Sequence, residues 1–343
     1  MQGLLGVRTR DAAAPAVTSA PPPVLRFRMP SLKPPMLGSA HGLNRLAERR
    51  GDAQHLIALE TSPSARFTVL VGDAPVLDWN AARTSAGIRW FTREAILALT
   101  GMAEPPLFLG VTRDAGHARF AVALGAIDAN PSLTETTRGL MPLIAEAALT
   151  HEDSTLLCQA KSLADWHRTT QHCGSCGRAT IPAEGGWRRI CTGCDRSTYP
   201  RTNPVVIMLI TNMAGDQCLI TREPRFPEKM YSIPAGYIEP GENIEHAVVR
   251  ETLEETGLHV SRVSYRSSQP WPFPHTLMIG CRAVAEPGPI THDPLELVEA
   301  RWAPRAEIAS LMNGTHPGGF WLPGAHAIAH ALIAEWMAEK ADS

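Results

Sequence analysis

Two pairs of cysteines constrain this chain more than any other feature. Cys173 and Cys176 lie in "CGSC", Cys191 and Cys194 in "CTGC", with fourteen residues between the pairs. Each tight turn lets two thiolates converge, and two such pairs close a tetrahedron around one ion. A lone redox pair would not explain the second, so the spacing predicts a structural zinc, one per chain. Four thiolates leave no open coordination position, which argues against a catalytic zinc. Arg178, Arg188, Arg189 and Arg196 flank the site. They either offset the excess negative charge of a tetrathiolate or offer a footing to an RNA backbone.

The chain has 343 residues, enough for two domains with cores of their own. A net charge of −2 gives no overall attraction to nucleic acid or membrane. No apolar run reaches the roughly 18 residues that a spanning helix needs. Seven cysteines, four of them at metal spacing, suit a reducing compartment, so the expected location is the cytoplasm. Cys158, Cys218 and Cys281 sit in apolar surroundings and read as inert core thiols.

Residues 1–40 are rich in Ala and Pro and read as a disordered tail, since the prolines spoil an amphipathic targeting helix. Residues 41–165 mix strands ("RFTVLVG", "ARFAVAL") with helices ("TREAILAL", "GLMPLIAEAALT") and carry no motif of obvious chemistry. A helix over "LLCQAKSLADWHRTTQHC" leads into the cysteine-rich unit, 166–200. After it "NPVVIMLIT" reads as a buried strand, and strands alternate with helical patterns through 201–340, ending in "GAHAIAHALIAEWMAEK".

The segment "GYIEPGENIEHAVVRETLEETGL" predicts a helix from Asn243 to Thr256, stopped by Gly257. At about 100° per residue, Glu251, Glu254 and Glu255 share one side of it. Three crowded carboxylates repel one another. By itself the cluster is either a solvated acidic face or a seat for a hard divalent cation such as Mg²⁺ or Mn²⁺. Arg250 adjoins it and can orient a carboxylate by a bidentate pair.

The array Gly236, Glu242, Arg250-Glu251, Glu254-Glu255, Gly257-Leu258 resembles the box of the Nudix hydrolases, with Thr252 as the one mismatch, where a bulky aliphatic residue is usual. The resemblance implies an α/β/α sandwich preceded by the zinc ribbon and by a mixed α/β, Nudix-like N-terminal domain. It implies that Glu251, Glu254 and Glu255 are catalytic and ligate two or three Mg²⁺ or Mn²⁺ ions together with the Ala235 carbonyl. Gly236, Glu242, Arg250 and Gly257 would support the loop.

The segment "SQPWPFPHT" packs three prolines, a tryptophan and a phenylalanine into nine residues of a chain with 6% aromatics, a pattern neither helix nor central strand tolerates. It resembles the array that marks the NADH pyrophosphatase branch of the Nudix family, which also carries a four-cysteine insert. The stiff ledge is either a satellite of the core or a clamp for a flat base. The resemblance implies substrate contacts from Tyr199, Gln269, Pro270, Trp271, Pro272, Phe273, Pro274, His275, Thr276 and Ala329, and a late metal ligand at Glu296, with Glu299 as a neighbouring candidate base. Where the branch can place a substrate-contacting glutamate in the zinc insert, this chain has Gly186, with Glu184 two residues away.

The implied activity is hydrolysis of NAD(H) to AMP and nicotinamide mononucleotide, and removal of NAD caps from RNA, by a homodimer acting on neither membrane nor DNA. The rival readings are a hydrolase of ADP-ribose or another dinucleotide, and a non-catalytic NAD or RNA sensor.

Overall fold

A computed structural model describes residues 42–101, 104–125 and 131–339. The expected tail, 1–40, lies outside them. Among the described residues the long sheets are five- and six-stranded, with a three-stranded ribbon between them in sequence.

In the N-terminal part, Arg66–Val71 and Ala118–Leu124 run parallel at the centre of the five-stranded sheet. Both are almost wholly apolar, as expected of strands covered on two faces. One apolar cluster, including Phe67, Phe108 and Phe120, fills one side of this part. Another gathers Leu70, Leu77, Leu109 and Leu143 against the long helix His151–Thr169. Thr150 caps that helix by accepting from Asp153 N at 3.1 Å, a contact worth about 1 kcal/mol.

The helix expected over "GLMPLIAEAALT" is shorter than its periodicity suggests. Only Leu140–Ala145 is helical, and Ala147 turns the chain with φ of 52°. Ala148 N then donates back to Leu143 O at 2.9 Å, which closes the helix end before the long helix begins.

The six-stranded sheet is built on Asn203–Thr211, the buried strand expected from "NPVVIMLIT". On one side it pairs in parallel with Thr276–Ala285. Its other side is shared: Thr211 meets Cys218 of the strand Gln217–Arg222, while Val205–Ile207 meet Ala235–Tyr237. That split opens the sheet where the acidic segment begins. The helix Ile328–Ala338 packs through Leu332, Ile333 and Trp336 against one face. Across the other face, Ala247 and Val248 of the helix Ile244–Thr256 pack on Val206, Met208 and Leu219. Helix, sheet, helix is the sandwich expected for this part of the chain.

Candidate active site

The acidic segment folds as a strand, a loop and a capped helix. Asn243 caps Ile244–Thr256 by accepting from His246 N at 2.8 Å, and Gly257 ends it in the left-handed region with φ of 70°. Thr252, the mismatch in the box, is fully buried. Its hydroxyl donates to Val248 O at 2.7 Å, so the polar group costs little in the apolar interface.

Arg250 ties the loop to the helix. Its guanidinium grips both oxygens of Glu242, at 2.6 and 2.8 Å, and donates to the Tyr237 carbonyl at 2.8 Å. The remaining nitrogen donates to Glu251 and Glu254, each at 2.9 Å. Arg250, helped by the Glu239 N–H, holds the Glu242 carboxyl down at about 2.

Glu251 lies directly over Gly236. A Cβ at Gly236 would come within 1.8 Å of the Glu251 carboxyl carbon, so the box glycine is required by close approach. Glu255 is buried deeper, and its Oε2 finds no partner. Burial, and then the charges of Glu251, Glu223 and Glu296, push its carboxyl up to about 8. Such an arrangement is costly in isolation. An orphaned buried carboxylate oxygen among like charges is what a divalent cation would satisfy. Glu251 and Glu255, with Glu296 close enough to add to the charge on Glu255, are the residues that would hold such a cation. Glu254 differs: it is largely exposed and paired to Arg250.

Glu299 is already committed, accepting from Tyr231 Oη at 2.6 Å and pairing with Arg301 at 3.1 Å. Glu296, by contrast, is exposed, and its charge acts on Glu255.

The proline-rich ledge is an edge strand and hairpin tip. Val260–Trp271 is the outermost strand of the sheet, which is why Pro270 can sit in it without breaking a ladder. Trp271 and Phe273 meet edge to face at 5.5 Å and pack against the N-terminal core cluster, with Lys161 of the long helix 5.4 Å over the Phe273 ring. The buried Lys161 also pairs with Asp165. In this structure both rings pack against that cluster yet stay half-buried, so part of each remains accessible.

Gln269 corrects the sequence reading. It is 0% exposed, its nitrogen donates to His326 O at 2.7 Å, and its oxygen accepts from Ile328 N at 2.7 Å. Both ends of the amide are used to seat the C-terminal helix, leaving nothing to read a substrate amide. Ala329 is likewise inside the core on that helix, at 2% exposure, where no base can reach it. Pro272 and Thr276 are buried, whereas Pro270 and Pro274 are exposed. His275 is half-buried and accepts through its carbonyl from Asn203 N at 2.7 Å. Tyr199 is 57% exposed on the loop that leaves the ribbon.

The four cysteines come together as the spacing demands. All four sulfurs lie within 4.8 Å of one another, with Cys173–Cys194 at 3.8 Å and Cys176–Cys191 at 3.3 Å. Zinc–sulfur bonds of about 2.3 Å at tetrahedral angles would set sulfurs roughly 3.8 Å apart, so the group fits the ion. The backbone N–H groups of Ser175 and Cys176 pull the Cys173 thiol down to about 6, while Cys176, against the Arg178 N–H, is pushed up to about 12 by Cys191 and Cys194, as expected of thiols sharing charge. Cys158, Cys218 and Cys281 are buried, and burial pushes their thiols up to about 12, 12 and 11.

Of the four arginines around the ribbon, two have structural partners. Arg188 pairs with Glu184 at 3.0 Å, and the buried Arg189 donates to Thr180 Oγ1 at 2.7 Å and bonds His167 Nδ1 at 2.7 Å. Gly186 also has a packing reason. With φ of 89°, a Cβ there would lie 2.6 Å from Leu107 Cδ2, and its carbonyl meets His167 Nε2 at 2.7 Å. No glutamate fits there, and Glu184 is held by Arg188. Sequence reasoning missed His167, whose partners Gly186 and Arg189 lie about twenty residues on, and the contact of Lys161 with the distant Phe273.

Comparison with known families agrees with this geometry. Residues 201–320 match the NUDIX domain, so this part of the chain carries that domain. Residues 168–199 match the NADH pyrophosphatase zinc ribbon domain, which gives it the ribbon of that kind. Among curated relatives, NAD-capped RNA hydrolase NUDT12 of Macaca fascicularis is 41% identical over 204 residues, covering 57% of this chain and 44% of the relative. The mitochondrial NAD(P)H pyrophosphatase NUDT13 of Homo sapiens is 38% identical over 205 residues, covering 56% and 57%. NAD-capped RNA hydrolase NudC of Pseudomonas syringae pv. syringae is 37% identical over 185 residues, covering 54% and 62%. This chain spans from 44% to 62% of those relatives' lengths. No described helix is long and apolar enough to cross a membrane.

Proposed function

We propose that this chain hydrolyses the diphosphate of NADH, and of NAD⁺, to AMP and nicotinamide mononucleotide, and removes NAD from the 5′ end of RNA. The observation that carries the reading is the buried, unpartnered Glu255 oxygen, with Glu251 near enough for its charge to raise the Glu255 carboxyl. The names of the relatives support the choice of dinucleotide.

Glu251, Glu255 and Glu296, with the Ala235 carbonyl, would hold Mg²⁺ or Mn²⁺, with Glu254 at the exposed margin. When bound, such a cation neutralises the diphosphate oxygens and acidifies a coordinated water. The protein's own part is positional. Arg250 fixes the loop through Glu242 and the Tyr237 carbonyl and orients Glu251 and Glu254. Water attacks phosphorus, one P–O bond of the anhydride breaks, and a carboxylate of the cluster takes the proton. The bridging oxygen leaves on the second monophosphate.

Exposed Tyr199, with Pro270 and Pro274, supplies the apolar surface against which a nicotinamide or adenine ring stacks. The resemblance further supports a homodimer in which such surfaces are shared and a cytoplasmic location. Steady-state comparison of NADH, NAD⁺, ADP-ribose and NAD-capped RNA tests the substrate assignment. NADH or capped RNA should lead, and ADP-ribose ahead by more than about tenfold, ~1.4 kcal/mol of transition-state preference, would overturn it.

A further inference from the structure

A cavity of about 580 Å³ opens between the N-terminal domain, the long helix and the segment that leaves the zinc ribbon. Three arginines line it, Arg45, Arg113 and Arg201, and no carboxylate does. Arg113 and Arg201 are exposed, and among the described residues neither forms an ion pair. The Arg113 and Arg201 guanidinia therefore offer fork donors to an anion. Trp187 forms part of the wall, with Arg45 5.6 Å over its ring, and Pro270 of the ledge completes the rim.

The strand that follows Arg201 leads from the cavity to the acidic cluster. Val206 pairs with Gly236, which carries Glu251 above it. Arg201 precedes Val206 by five residues on the same segment, so the two points are at most about 17 Å apart at ~3.3 Å per extended residue. That is the reach of a few nucleotides from the reacting diphosphate.

We infer that this cavity binds phosphodiester groups, and that its ligand is the RNA chain that continues from the NAD end. The inference rests on the reading of the acidic cluster as the NAD-end hydrolytic site. It adds a polyanion subsite that a free dinucleotide is too short to occupy. Single-stranded RNA is favoured over a small phosphate because the arginines are spread over separate segments, at residues 45, 113 and 201, rather than converging in one loop.

Arg113→Gln and Arg201→Gln, singly and together, test it. On NAD-capped oligoribonucleotide the double variant should lose about tenfold in kcat/KM through KM, and the slope of log KM against log salt should become shallower by roughly 1.4, about 0.7 per phosphate contact. Turnover of NADH should stay within about twofold. Unchanged kinetics on capped RNA, or an equal loss on NADH, would overturn the subsite. A second arm needs no hydrolysis: anisotropy of a labelled, uncapped 5′-monophosphate RNA, with AMP and inorganic phosphate as competitors. Weaker RNA binding by the double variant supports the subsite even if the wild type cleaves nothing, which would sink only the hydrolytic reading. Binding of AMP or phosphate that these substitutions abolish, with RNA binding untouched, would overturn it.

Discussion

Gly236 carries the Glu251 carboxyl group so closely that a single methyl at Gly236 would collide with it at 1.8 Å. Gly236→Ala should therefore displace Glu251 without disturbing the core beneath the helix. The expected result is a loss of about 10²-fold in kcat/KM for NADH, the usual penalty for moving a catalytic group by an ångström. Kinetics paired with a thermal unfolding curve check it, the latter expected to change little.

Gln269 is placed to hold the C-terminal helix rather than a ligand. Replacing it with Ala orphans the Ile328 N–H and the His326 carbonyl, at a cost of roughly 2–5 kcal/mol. Urea unfolding should show that loss, while KM for NADH in the folded fraction stays near the wild-type value. A large rise in KM with unchanged stability would restore the ligand-reading role expected from the sequence.

Zinc should be structural. Cys191→Ala, or a strong chelator, removes one corner or all of the tetrahedron that joins the ribbon's two turns. Metal analysis should give one zinc per wild-type chain, and zinc loss should lower the unfolding temperature. Protein that remains folded should keep its chemical step in single-turnover assays with added Mg²⁺.

His167 makes stability depend on pH. Burial lowers its pKa against the supporting Gly186 carbonyl, and nearby Arg189 lowers it further. The neutral ring donates from Nε2 to Gly186 O and accepts at Nδ1 from Arg189, an arrangement a second ring proton would break. Because the folded pKa is depressed, this contribution is whole above the unfolded value of about 6.5 and is lost as pH falls below it. Unfolding curves from neutral to mildly acid pH, with zinc saturating, should show wild type losing more stability than His167→Gln.

Local spacing was the part of this molecule most legible in its sequence. A helix of 3.6 residues per turn puts Glu251, Glu254 and Glu255 together, and a two-residue turn puts each cysteine pair together, without reference to distant residues. Boundaries set by a single cap, such as Asn243 and Gly257, were equally plain. What stayed hidden depends on contacts across the fold. Trp271 and Phe273 meet a core made by residues near 70–163, and Gln269 meets a helix 57 residues later. Nothing in "SQPWPFPHT" names those partners. The helix break at Ala147 is a non-glycine residue in a left-handed conformation, which propensity does not foretell. Gly186 reads as a lost ligand in the sequence and as a packing requirement in the structure, because Leu107 approaches it from another domain.

The central claim is that Glu255 is kept buried and unpaired because a divalent cation completes its site. The most direct test is Mg²⁺-dependent release of AMP from NADH by Glu255→Gln beside the wild type. The charge is removed with almost no change of shape, so the variant should lose at least ~10²-fold in turnover and no longer be stabilised by added Mg²⁺. AMP released by Glu255→Gln at the wild-type rate, with the same dependence on Mg²⁺, would contradict the account.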